Sequence, residues 1–134
     1  MAEGSASAAD QVQQALENLR GLSGELDSAA LVSEGGELMG STLAPGVDQE
    51  RYAAMVRALA GIARRVAREN GGAEFAQARI REEGGYVLLV GLGGGGTLAG
   101  TTGPDARVGL VLYDMRNTAK ELERMLGSEG GRRL

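Results

Sequence analysis

The chain has 134 residues, enough for one domain with a single core sandwiched between layers. It contains neither cysteine nor histidine, which excludes disulfides, thiol nucleophiles, Cys/His zinc sites and any Ser-His-Asp arrangement. Its net charge of −4 argues against nucleic acid as a partner, and no apolar run approaches the length of a membrane span, so no direct membrane insertion is expected.

With three tyrosines, one phenylalanine and no tryptophan, the core must be built mainly from leucine, valine and alanine. No secretory h-region opens the sequence, and a cytoplasmic protein is expected. The single lysine, Lys120, follows an alanine, whereas a P-loop needs Gly-Lys-Ser/Thr. Charge is unevenly spread. Residues 51–81 hold seven arginines against two glutamates, a balance of +5 that leaves −9 on the rest. Such asymmetry marks either a surface for an acidic partner or a solvated helix face.

In chain order, residues 1–7 read as a disordered tail, a domain spans 8–126, and 127–134 read as a flexible tail. Ser7 caps a first helix in which Val12, Ala15, Leu16, Leu19 and Leu22 share one face, closed by Gly21 and Gly24. Residues 26–33 and 37–43 form a hairpin around Glu34-Gly35-Gly36, with Ala30 and Val32 on one face of its first strand. Asp48 caps a long helix over 49–70. Tyr52, Met55, Val56, Leu59, Ile62, Ala63 and Val66 fill an arc of about 160° on that helix, expected to lie on the sheet. Arg57, Arg64 and Arg68 form a stripe beside the arc, and Ala54, Ala58 and Gly61 leave the back of the helix almost bare.

Residues 73–82 read as an edge strand, polar enough to need guarding or pairing. The run 85–92, Gly-Tyr-Val-Leu-Leu-Val-Gly-Leu, reads as the central strand, buried on both faces. Behind it, Gly91-Leu-Gly93-Gly-Gly-Gly96 matches the dinucleotide pattern G-x-G-x-x-G. That motif requires a helix to open at its last glycine. Thr97-Leu-Ala-Gly-Thr-Thr102 alternates like a strand instead, so a hairpin loop is the favoured reading. Beyond Asp105, a plausible cap, Val108, Val111, Leu112, Met115, Ala119, Leu122 and Leu126 keep helical spacing, which outweighs the β-propensity of 108–115.

The order is helix, hairpin, long helix, three-stranded meander, helix. Ala30-Leu-Val-Ser-Glu-Gly-Gly36 with Ser41, the amphipathic second helix, the glycine-led apolar run at 85–92 and Val108-Gly-Leu-Val-Leu-Tyr-Asp-Met115 together resemble the roadblock / dynein light-chain family. The resemblance covers about residues 11–126. It implies an α/β layered fold of profilin-like type: a five-stranded antiparallel sheet with the first and last helices on one face and the long helix on the other. It also implies an interaction protein, a homodimer that binds a small Ras-like GTPase and tunes its hydrolysis, nucleotide state or localisation, or an adaptor subunit. No catalytic residue, cofactor or metal site carries over. Where hydrolysis is accelerated, the partner's own residues are ordered, or an arginine is inserted; Arg57, Arg64 and Arg68 are the candidates.

The homodimer is expected through the long helix and the edge strand, with Ala54, Ala58, Gly61, Ala76, Gln77, Ala78 and Arg79 as candidate contacts. A small-molecule sensor is the alternative, weakened by the scarcity of aromatic and polar core residues. An enzyme is least supported, since only carboxylates and Lys120 could serve as a base.

Overall fold

The structure is a computed structural model that describes residues 7–131. Helix α1 spans Ala8–Leu22, and the Ser7 hydroxyl accepts from the Asp10 amide at 3.1 Å, satisfying one of the free N–H groups of the first turn. Strands β1 (Leu26–Val32) and β2 (Leu38–Ser41) form the first hairpin, followed by α2 (Gln49–Glu69). Strands β3 (Gln77–Glu82), β4 (Gly85–Gly91) and β5 (Thr97–Thr102) make the meander, and α3 covers Val108–Gly131.

All pairings are antiparallel, in the order β2-β1-β5-β4-β3. The chain therefore crosses from one sheet edge to the other by way of α2. Helices α1 and α3 pack on one face, where Val12, Leu16, Leu19, Leu112, Met115 and Leu122 meet Leu31, Leu88, Val90 and Leu98. On the other face Ala53, Val56 and Ala60 of α2 meet Val32, Leu89 and Ala99. Two thin cores share one sheet, which is why four of the five residues from Leu88 to Leu92, all but Gly91, are buried.

Four details differ from the sequence reading. The central strand is β5, not the apolar run of β4, because β1 inserts beside β5. Small residues let both layers close on β5: a Cβ at Gly100 would sit 2.7 Å from Leu26 Cδ1 and 3.3 Å from Met115. The strand expected from residue 73 begins at Gln77, with buried Phe75 leading into it. Asp105 is not the cap of α3; the Arg107 carbonyl accepts from Val111, while its own N–H is held by Glu25 Oε1 at 2.7 Å. The last helix continues past Leu126 to Gly131. Residues 1–6 and 132–134, within the two expected tails, lie outside the described residues.

The largest difference concerns α2. Met55, Ile62 and Val66, expected on the sheet, are exposed, and the buried face turns instead through Tyr52, Ala53, Val56, Ala60, Ala63 and Ala67. Alanines face the sheet because they allow the helix axis to approach it closely, leaving the larger aliphatics on a flank.

Candidate interaction surface on α2 and β3

That flank faces the open edge of the sheet. Ile62 is 62% exposed, Val66 57%, Met55 41% and, on β3, Ile80 39%. Ile62, Val66 and Ile80, with Leu59, Phe75 and Ala78, line an apolar groove of about 350 Å³ between α2 and β3. Among the described residues β3 pairs only with β4, so its outer backbone groups have no strand partner there. Exposed apolar patches and unpaired strand edges are features that recur at protein–protein interaction surfaces.

The arginine stripe lies on the opposite flank of α2. Arg57 rests against the tip of the β1–β2 hairpin, where a Cβ on Gly36 (φ 94°) would come within 2.8 Å of its Cδ. Arg64 Nη1 donates to the Gly95 carbonyl at 3.3 Å. Arg68, in the last turn, is exposed. Among the described residues the ion pairs are Arg65–Glu69 and Arg107–Glu25, so none of these three arginines meets a carboxylate.

Ala54, Ala58 and Gly61 run along the outward back of α2 and border a second groove, of about 790 Å³, beneath Gly35 and Gly36. The candidate contacts are thus divided. Ala78 packs under α2, Ala76 precedes β3, and Gln77 and Arg79 project from the other face of the sheet, where Arg116 Nη1 donates to Gln77 Oε1 at 2.8 Å. The sequence reading missed Ile62, Val66, Met55 and Ile80 as surface residues. The available signal was the width of the apolar arc, more than one helix needs on one sheet.

In the core beneath α2, the Tyr52 hydroxyl is buried without a hydrogen-bond partner. Burial raises the pKa of this phenol, with Ser28 alongside pulling weakly the other way. Ser28 is itself engaged with the Thr101 hydroxyl at 2.6 Å. No group of three or more acidic residues among the described residues is arranged to hold a metal ion, and no described helix is long and apolar enough to cross a membrane.

Residues 8–100 match the Roadblock/LC7 domain family, and the chain belongs to it. A Roadblock/LC7 domain from Streptomyces avermitilis is 30% identical, with 83% of this chain and 97% of that one covered and a TM-score of 0.65. Myxococcus xanthus MglB superposes with a TM-score of 0.80 at 17% identity, over 88% of this chain and 96% of its own. An MglB with tetrameric arrangement also gives 0.80, at 18% identity and over 90% and 91% of the two chains. No curated protein matches the sequence significantly.

Proposed function

We propose that this chain is a cytoplasmic homodimeric interaction module that binds and regulates a small Ras-like GTPase. The carrying observation is the apolar groove of Leu59, Ile62, Val66 and Ile80 alongside the open edge of β3. Pairing of β3 with a second copy about a two-fold axis satisfies its outer backbone groups and sets the two α2 flanks side by side. In that arrangement the two α2 helices approach through the Ile62 and Val66 flank, while Ala54, Ala58 and Gly61 stand on the back of the helix, toward the β1–β2 hairpin. The tetrameric arrangement of an MglB supports self-association as a habit of the fold.

The GTPase is the partner that the family resemblance implies, and the basic flank of α2 is its proposed seat. Arg57, Arg64 and Arg68 face away from β3 and remain available when the dimer forms. Arg57 and Arg64 lean on neighbouring loops, so ordering the residues of the GTPase itself fits them better than insertion into its nucleotide site. The test is association with purified small Ras-like GTPases loaded with GDP or a non-hydrolysable GTP analogue. Binding to one nucleotide state, lost when the three arginines become glutamates in a folded chain, supports the reading. Binding without any change in hydrolysis identifies an adaptor instead.

A further inference from the structure

The face of the sheet opposite α2 carries its own concentration of positive charge. On β3, Ala78 points under α2, so Gln77, Arg79 and Arg81 project the other way. Helix α3 packs over β4 and does not cover them, and all three are exposed. Arg81 stacks its guanidinium 5.9 Å from the ring of Tyr86, which itself packs on the α1/α3 core. Along α3, Arg116, Lys120 and Arg124 recur every fourth residue and are exposed, a single stripe on one helix flank. Arg116 reaches over to Gln77, which fixes that stripe on the side of β3.

Among the acids of α3 whose side chains are described, two lie away from this flank and one stands on it. Glu121 borders the groove against α1, and Asp114 lies seven residues earlier on the same side; Glu123 shares the flank of Arg116 and Lys120, where its carboxylate accepts from the Gly93 amide at 2.7 Å. Among the described residues no ion pair neutralises Arg79, Arg81, Arg116, Lys120 or Arg124. Five cations on one face of a chain with net charge −4 make a localised field rather than a general one. Exposed Tyr113, one turn before Arg116, adds an aromatic surface at its margin.

We propose that the ledge formed by β3 and the basic flank of α3 docks an acidic polypeptide segment of a partner, separately from the surface on α2. The shape favours a polypeptide over a membrane. α3 stands as a wall beside the uncovered floor of β3, a step that admits an extended or helical segment and holds a flat bilayer away from the floor arginines. In the homodimer proposed above, on which this part rests, two ledges join across the β3 pair into one trough with an α3 wall on each side.

The probe is a fluorescein-labelled decaglutamate peptide, titrated against the full chain by anisotropy at low and moderate salt, with light scattering on the same samples. Saturable, salt-sensitive binding is expected, weakened about tenfold or more by Arg79→Glu with Arg116→Glu and little changed by Arg57→Glu with Arg64→Glu. A chain that stays monomeric yet binds through Arg79 and Arg116 retains the ledge and removes only the dimer reading. A dimer that ignores the peptide overturns the ledge alone. Equal loss in both double variants, or binding to phosphatidylserine vesicles in preference to the peptide, also overturns it.

Discussion

Gln13 of α1 grips Ser41 of β2 from both sides: its amide oxygen accepts the Ser41 N–H at 3.0 Å, and its NH₂ donates to the Ser41 carbonyl at 2.7 Å. Ser41 lies opposite Ala30 on β1, and the side chain of Gln13 completes its other edge as a further strand would. Among the described residues the sheet therefore has one edge closed at this point by its own helix and one edge, β3, left without a strand partner. Gln13→Ala should destabilise the fold by about 1–2 kcal/mol in urea unfolding, through the two unmet backbone groups. Gln13→Glu should also destabilise, because a carboxylate accepts from the Ser41 N–H but offers its carbonyl no donor.

Tyr52 illustrates the opposite case, a buried polar atom without a partner. Replacing it with phenylalanine keeps the ring in the α2 core and removes an unmet hydroxyl. Tyr52→Phe is expected to be neutral or stabilising by about 1 kcal/mol, measured as an increase in the urea midpoint. A loss of stability of that size would mean the hydroxyl is satisfied in solution.

The start of α3 depends on Glu25, whose Oε1 accepts the Arg107 N–H while Oε2 meets the Arg107 guanidinium at 2.9 Å. The backbone hydrogen bond, and then the side-chain bond, hold the Glu25 carboxyl below its ordinary pKa of 4.5. A depressed folded pKa means the contribution is present above the unfolded value and fades as pH falls through the folded one. Stability should therefore decline on acidification below about 4.5, and Glu25→Gln should flatten that part of the profile. An unchanged acid limb in chemical denaturation would contradict the assignment.

How much of this was legible follows from what each signal records. The spacing of Val108, Val111, Leu112 and Met115 identified α3 correctly, since all four are buried on one face. The strand-like alternation after Gly96 identified the hairpin, and β4 and β5 are directly paired, with the Gly93 amide already occupied by Glu123. Helix α2 was legible as an element but not in its rotation. Periodicity measures the total apolar width of a helix and does not distinguish the part that meets a sheet from the part left for another chain. The alanines at 53, 60 and 67 carried too little hydrophobicity to register as the buried side. The basic ledge was invisible for another reason: β3 and Arg116 are far apart in sequence and meet only through the fold, at the Gln77–Arg116 contact.

The central claim is that the apolar flank of α2 and the β3 edge join two copies of this chain. Static light scattering across a micromolar concentration series, with circular dichroism on the same samples, tests it directly. The wild type should show twice the 13.8 kDa chain mass. Ile62→Arg places a charge at the most exposed apolar position of the flank and should shift a folded chain toward monomer, weakening association at least about tenfold. Ala58→Arg, one turn away on the back of α2, should weaken it less. A wild type that remains monomeric at high micromolar concentration, or a dimer untouched by Ile62→Arg, would contradict the account.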